Sequence, residues 1–455
     1  MTAKSKQTVY TLVVGLGKTG LSVVRYLRAL GETVIVVDSR DLPPGLSIIK
    51  NEYPDVQCYT GSFDIALFTG AHRIVVSPGV ALSEPALVEA KNNNIEITGD
   101  VDLFAHEVTA PVVGITGSNG KSTVTTLLAL MASQSGKNAV ASGNIGLPVL
   151  DALNDDVDLY VLELSSFQLE SLQHLSMKAA VVLNISADHL DRYENIATYA
   201  MSKQVIYENA EVLVFNKDDE LANYSKVRHY AGAAEKQIKF TLNKPEKNEF
   251  GVCEKDNGES LCFGEIFLVA VDQLKIKGSH NIQNALAALA LGHASGLAIE
   301  DMVTTLKEFK GLPHRTQFVA EIEGVNWIND SKATNVGAAI AALTGMPGKH
   351  VLIAGGEAKG ADFTELADTA RQHCRAVVLI GKDAKKIKAV LPVDLNVESA
   401  TDMDSAVRAA AKLAQAGDNV LLAPACASFD MFENFEHRGD MFIESVEALQ
   451  LEVLS

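Results

Sequence analysis

The chain has 455 residues, 47% of them apolar and 21% charged, and a formal charge of −18. That length exceeds one hydrophobic core and predicts three domains of ordinary size, and the unbiased composition excludes a disordered or fibrous protein. The acidity argues against broad nucleic-acid binding, but it leaves room for anionic small substrates, which need only local Lys, Arg and backbone N–H groups.

Short β-branched runs alternate with amphipathic stretches of helix length, so the expected fold class is α/β with mainly parallel sheets covered by helices. Lys4 and Lys6 precede an apolar stretch in the manner of a signal peptide. That stretch is short and runs into Gly15-Leu16-Gly17 without a small-residue cleavage site, so it reads as a first β-strand. The first unit is predicted as strand Tyr10–Gly15, a helix, strand Thr33–Asp38, strand Ile74–Ser77 and a helix near Pro85–Asn93, with Glu96–Gly99 closing it. Gly15-Leu16-Gly17-Lys18-Thr19-Gly20 matches the G-x-G-x-x-G dinucleotide fingerprint, with Asp38 ending the next strand. Taken alone, these residues describe an NAD-dependent oxidoreductase. Ser77-Pro78-Gly79 reads as a turn.

A second unit opens at Pro111 with strand Val112–Ile115, a glycine-rich loop and a helix from Lys121. Apolar strands are expected at Leu159–Leu162, Ala180–Leu183 and Val212–Phe215. Residues 235–275 read as a polar antiparallel appendage, followed by a long helix, Asn281–His293. The third unit starts after Gly311-Leu312-Pro313, with strands Val325–Ile328, Val351–Ala354, Ala376–Ile380 and Val420–Ala423. No apolar run approaches membrane-spanning length, so no membrane association is expected. The scattered cysteines, Cys58, Cys253, Cys262, Cys374 and Cys426, are odd in number and lack metal spacing. They read as reduced thiols of a cytoplasmic protein.

The run Thr116-Gly117-Ser118-Asn119-Gly120-Lys121-Ser122-Thr123 lies between a strand and a helix. Its glycines let backbone N–H groups curl around an anion, and the helix N-terminus adds positive potential. Lys121 would reach the β/γ-phosphates and the Ser122 hydroxyl a Mg²⁺ ion. The general pattern asks for glycine at 115, where Ile115 stands; Gly114 is one residue early. Glu163 interrupts an apolar strand, and a buried carboxylate is costly unless paired or bound to metal. A strand-end Glu reaching solvent is the alternative.

Further motifs follow in order: Asn184-Ile185-Ser186-Ala187-Asp188-His189-Leu190-Asp191-Arg192-Tyr193, Tyr199-Ala200-Met201-Ser202-Lys203, His280-Asn281-Ile282-Gln283-Asn284, Leu312-Pro313-His314-Arg315, and Ile328-Asn329-Asp330-Ser331-Lys332-Ala333-Thr334-Asn335. This ordered set, spanning nearly the whole chain, resembles the Mur ligases, and the last motif looks like the D-glutamate-adding member. The resemblance implies a Rossmann-like N-terminal domain binding a UDP-substrate (residues 1–100), a central P-loop ATPase-type domain (101–312) and a Rossmann-like C-terminal domain taking the amino acid (313–455). It implies a cytoplasmic monomer that joins D-glutamate to UDP-N-acetylmuramoyl-L-alanine through an acyl phosphate, using ATP and two Mg²⁺ ions.

The resemblance also implies roles for individual residues. Lys121, Glu163, His189 and Lys203 would be catalytic. Ser122 and Glu163 would hold one metal, and His189 and a carbamylated Lys203 the other. Gly117 to Thr123, Asn281, Asn284, Arg315, Asp330 and Lys332 would meet ATP. Leu16, Lys18, Thr19, Asp38, Ser39, Arg40, Gly79, Asn144 and His189 would meet the UDP-substrate, and Thr334, Lys359, Ser428 and Phe435 the D-glutamate. Each has a plainer reading. A lone helix lysine such as Lys203 is usually solvated, His189 suits a core or capping role, Asn281 suits a helix cap, and Lys359 suits a turn. A non-catalytic nucleotide-binding protein would keep the folds but need not keep Lys121, Glu163, His189 and Lys203 together.

Overall fold

The structure is a computed structural model and describes residues 9–189, 192–223, 236–255 and 258–454. Lys4, Lys6, Leu190 and Asp191 lie outside the described residues. Three separate sheets account for its strands. The first is all parallel, in the spatial order Gln57–Thr60, Val34–Asp38, Thr11–Val14, Arg73–Val76, Glu96–Thr98. Winding reverses between Thr11–Val14 and Arg73–Val76, and a crevice opens outside the carboxyl ends of strands at such a switch point. The Gly15–Gly20 loop and the Ser77–Gly79 turn follow these two strands. They are tied by Ser77 Oγ, which donates to Gly15 O at 3.1 Å.

The second sheet has nine strands. Ala139–Gly143, Leu159–Glu163, Val112–Thr116, Met177–Val182, Ala210–Asn216 and Gln237–Phe240 run parallel, and Glu249–Lys255, Gly258–Phe263 and Ile266–Ala270 complete it. The segment expected as an antiparallel appendage is thus part of the main sheet. Gln237–Phe240 pairs parallel with both its neighbours, and only the last strands form an antiparallel meander. Backbone ladder bonds on an open edge favour extension over a free-standing hairpin, which is marginal in water. The third sheet orders Gln317–Ile322, Val325–Asn329, Asn419–Leu422, His350–Gly355, Cys374–Ile380 and Asn396–Ser399, and only its first pair is antiparallel.

Two kinds of junction join the units. Helix Asp100–Glu107 buries Val101, Leu103 and Phe104 in one apolar cluster shared by the first sheet and the central unit. The ring of Phe104 meets Tyr160 edge-on at 5.1 Å. Asp102 on the same helix accepts the N–H groups of Gln173 and His174, each at 2.9 Å. Among the described residues, the buried members of the third unit's apolar clusters all come from that unit.

The first glycine loop is sterically demanding at only two of its three fingerprint positions. Gly15 has φ +93°, and a Cβ on Gly20 would stand 1.9 Å from Gly15 O, whereas nothing lies within 4 Å of a Cβ on Gly17. Gly20→Ala therefore forces backbone apart and is expected to cost about 1–3 kcal/mol, while Gly17→Ala is tolerated. Thermal denaturation of the two variants checks this, and equal melting temperatures would refute it.

Candidate functional site

Strand Val112–Thr116 is wholly buried and delivers the phosphate loop to the N-terminus of helix Lys121–Gln134. Gly114 belongs to the strand's packing and not to the loop, since a Cβ there would meet Met177 Sδ at 2.3 Å. The turn begins at Gly117 (φ +149°) and ends at Gly120 (φ +84°), where a Cβ would lie 2.3 Å from Asn284 Oδ1. A neighbouring segment braces the loop. Asn119 N donates to Asn184 Oδ1 at 2.8 Å, Asn184 Nδ2 returns a bond to Asn119 O at 3.1 Å, and Ser118 N donates to Asn184 O at 2.9 Å. Lys121 Nζ donates to the loop's own carbonyls, Gly117 O at 2.7 Å and Ser118 O at 2.9 Å. Burial lowers the Lys121 pKa, opposed by Glu163 and Asp188.

Glu163 ends the strand beside this loop, in register with Ile115, and is 2% exposed. Its Oε1 accepts from Asn144 Nδ2 at 2.7 Å, while its Oε2 is buried without a partner. The reading of Glu163 as a solvent-reaching strand end therefore fails. An orphaned carboxylate oxygen is costly, and a cation relieves it. Ser122 Oγ accepts from Arg315 Nη2 at 2.7 Å across the junction between units. The described residues contain no group of three or more His, Cys, Asp or Glu side chains able to cage a metal. Ser122 Oγ and the unpartnered Glu163 Oε2 are hard oxygen donors of the kind that fits Mg²⁺.

Lys203, on helix Ile196–Gln204, is 1% exposed and so is not a solvated surface lysine. Its Nζ lies 3.4 Å from Thr116 Oγ1 and 4.7 Å from the Tyr199 ring centre, and it makes no ion pair among the described residues. Burial first, and Lys121 second, hold its pKa well below the usual range. His189 has φ +54°, its ring meets Phe167 edge-on at 4.8 Å, and its Nε2 is 3.9 Å from Asp188 Oδ2.

A cleft of about 490 Å³ between the central and third units gathers most of the residues singled out above. Ser118 to Thr123, Asn144, Glu163 and His189 line one wall, with Asn281 and Asn284 beside them; Arg315, Asp330, Lys332, Thr334, Lys359, Ser428 and Phe435 line the other. Gly117 and Lys203 stand behind the lining. Asn281 is not a helix cap: Gly278 holds that position, and Asn281 Nδ2 donates to Lys277 O at 2.8 Å while Asn281 Oδ1 accepts from Asn284 at 3.3 Å. Lys332 Nζ sits 4.0 Å from the Phe435 ring centre. Burial, then Arg315 and Lys121, lowers its pKa to about 8, and burial raises that of Asp330 to about 6. Lys359 adopts φ +47° in a loop where Gly355 and Gly356 let backbone approach Ile380 and Ala427 closely, and its Nζ lies 6.0 Å from the Phe429 ring.

Leu16, Lys18, Thr19, Asp38, Ser39, Arg40 and Gly79 do not line this cleft; they sit at the first sheet's switch point. Asp38 is engaged there: Oδ2 accepts from Leu16 N and Arg40 Nη2, each at 2.6 Å, and Oδ1 from Arg40 N and Nε, each at 2.9 Å. These bonds tie the end of strand Val34–Asp38 to the glycine loop and to Arg40. Among the lining residues that sequence reasoning left out of the site are Asn184, Asp188 and Asn335. Asn335 caps helix Val336–Thr344 through Ala338 N (2.8 Å) and donates to Asn119 Oδ1 and Asp188 Oδ2, both at 3.2 Å. A cap residue ahead of a helix is legible in sequence, but a second bond into another unit is not.

Family models cover all three sheets: the Mur ligase MurD-like N-terminal domain matches residues 9–99, the Mur ligase middle domain 115–292 and the Mur ligase glutamate ligase domain 314–426. The chain belongs to the Mur ligase family. It is 49% identical to the UDP-N-acetylmuramoylalanine–D-glutamate ligase of Pseudomonas aeruginosa over 97% of this chain and 98% of that one. It is 48% identical to the ligase of the same name from Marinobacter nauticus over 96% and 98%. Among solved structures it resembles the UDP-N-acetylmuramate-alanine ligase of Thermotoga maritima, with TM-score 0.59, 17% identity, and coverage of 97% of this chain and 99% of that one. It also resembles MurF ligase from Thermotoga maritima in complex with ADP, with TM-score 0.59, 17% identity and coverage of 98% and 100%. Like these Mur ligases it is built from α/β units on mainly parallel sheets, and no helix among the described residues is long and apolar enough to cross a membrane.

The Lys332 shift predicts a pH effect. The folded chain without nucleotide loses this proton at about pH 8, the unfolded chain near the ordinary lysine value of 10.5, so between them the unfolded state binds more protons and stability rises with pH. Nucleotide phosphate favours the charged form, so ATP binding should take up a proton in that window. Calorimetry in buffers of different ionisation enthalpy measures this uptake. It should fall in Lys332→Met; equal uptake in both proteins would refute the assignment.

Proposed function

We propose that this Mur ligase is an ATP-dependent, amide-forming enzyme that adds D-glutamate to UDP-N-acetylmuramoyl-L-alanine, releasing ADP and phosphate, as a cytoplasmic monomer in peptidoglycan precursor synthesis. The observation that carries the reading is one cleft in which Lys121 and Glu163 of the central unit face Thr334, Lys359 and Ser428 of the third. Relatives 47–49% identical over nearly the whole chain bear the name of that reaction. Residues 1–100 take the UDP part over the Gly15–Gly20 loop, 101–312 the ATP, and 313–455 the amino acid.

The substrate carboxylate attacks the γ-phosphorus of ATP, ADP leaves, and an acyl phosphate forms. Such a transfer needs alignment and charge neutralisation, not a strong nucleophile. Lys121, Arg315 and Lys332 bring positive charge to the phosphates from two units. Asn281 and Asn284 present a polar edge to the adenine, and Asp330 accepts from the ribose. Ser122 and Glu163 would hold one Mg²⁺ ion and His189 and Lys203 a second, and the ions would supply electrostatic stabilisation of the transferring phosphoryl group. The amine of D-glutamate then attacks the acyl carbon, phosphate leaves, and the amide remains. Lys359 and Ser428, with Thr334 and the Phe435 backbone, hold the two carboxylates so that the amine is left free.

Lys203 serves as a carbamate. Its amine, kept neutral by burial, adds to CO₂ and loses one proton to water, and the carbamate presents two oxygens sharing one negative charge where an ammonium would repel a cation. Polar contacts attach the third unit at the cleft, so we read it as mobile, closing on ATP to keep water from the acyl phosphate.

Phosphate release from ATP with UDP-N-acetylmuramoyl-L-alanine should require D-glutamate, and L-alanine or diaminopimelate should not replace it. No release, together with a nicotinamide absorbance change on adding NAD and a hydroxy acid, would overturn the reading. Lys203→Ala should lose activity and regain part of it with added short carboxylic acids; full activity without them would reject the carbamate.

A further inference from the structure

Arg438 lies in the first turn of helix Phe435–Leu454 and is 0% exposed. It makes no ion pair among the described residues. Its guanidinium instead binds neutral groups: Nε donates to Ser331 Oγ at 2.9 Å, Nη2 to Ser331 O at 2.8 Å and Nη1 to Cys426 O at 3.1 Å. Ser331 Oγ in turn donates to Phe435 O at 2.8 Å. One planar fork thus ties together the loop holding Asp330 and Lys332, the segment leading to Ser428, and the helix start at Phe435. Each of the three contributes to the cleft wall, while Arg438 itself does not line it.

This arrangement is expensive as mere scaffolding. A buried cation without a direct ion pair bears a desolvation penalty that the field of nearby Asp430 only partly offsets, and the first turn of a helix carries positive potential that adds to it. Burial accordingly lowers the guanidinium's pKa to about 10. Neutral side chains would join the same loops without either cost. They would not fix three acceptors in one plane, which the rigid fork of Arg does and the flexible ammonium of Lys does not.

We propose that Arg438 is a positioning residue whose guanidinium fork sets the amino-acid subsite in register with the nucleotide subsite. The proposal rests on the amino-acid reading of the third unit given above. It distinguishes shape from charge and from bulk stability. A variant that is merely less stable loses kcat with its unfolded fraction and keeps every KM. A variant whose loops have drifted raises KM for ligands bound by those loops alone.

The test is steady-state kinetics of the full-length enzyme with each substrate varied. Arg438→Lys and Arg438→Ala should raise KM for D-glutamate about tenfold or more, the scale expected for lost charge-assisted hydrogen bonds. KM for ATP should rise less, and KM for the UDP-substrate should stay unchanged. Added guanidinium ion should lower the D-glutamate KM of Arg438→Ala towards the wild-type value. If the alanine variant does not fold, Ser331→Ala, which removes the Nε acceptor, should show the same split in weaker form. Wild-type turnover with D-glutamate but unchanged KM values in these variants would overturn the proposal, as would full restoration by lysine. No wild-type turnover with D-glutamate would instead overturn the reading it rests on.

Discussion

The site depends on like charges held together. Lys121 from the central unit and Arg315 and Lys332 from the third converge on one cleft, with Lys203 buried behind it. Burial and mutual repulsion lower the pKa values of both Lys121 and Lys332. Opposite them stands a carboxylate with one oxygen unsatisfied. Cations whose repulsion the nearby carboxylates only partly offset, and a carboxylate oxygen without a hydrogen-bond partner, are two halves of one frustration. A nucleotide polyanion carrying a divalent metal resolves both, so the cleft is complementary to a ligand and not to itself.

The joints between units follow the same logic. The first and central units share an apolar cluster through helix Asp100–Glu107, a contact that packing makes stiff. At the cleft the third unit meets the central one through Arg315 on Ser122 and Asn335 on Asn119 and Asp188. Such contacts between polar groups exchange readily with water and add little net stability. A chain built this way can present a fixed platform for one substrate and a movable wall for the others. Arg438 keeps that wall one piece, because its three bonds stay within the third unit.

The central strands were legible because a strand covered on both faces must read as a continuous β-branched run. Those left unread, Gln57–Thr60, Ala139–Gly143, Gln317–Ile322 and Asn396–Ser399, all lie at sheet edges. An edge strand buries less and pairs on one side only, so its pattern is weak. The same reason explains the misread 235–275 segment. Its polar alternation correctly announced strands, but whether they add to an existing sheet is a property of the edge they meet.

By itself the sequence determined the α/β class, the phosphate loop, and the motifs that identify a Mur ligase, because these depend on local periodicity and short spacings. Only the tertiary structure decided which of those residues share a cleft, since contacts between residues far apart in the chain have no local signature. It also decided that Gly114 belongs to strand packing, that Asp38 braces its own loop, and that Lys203 is buried, which holds its pKa well below the usual lysine range. In each case the residue type was evident from the sequence, and its protonation, partner or purpose was set by neighbours brought from elsewhere in the fold.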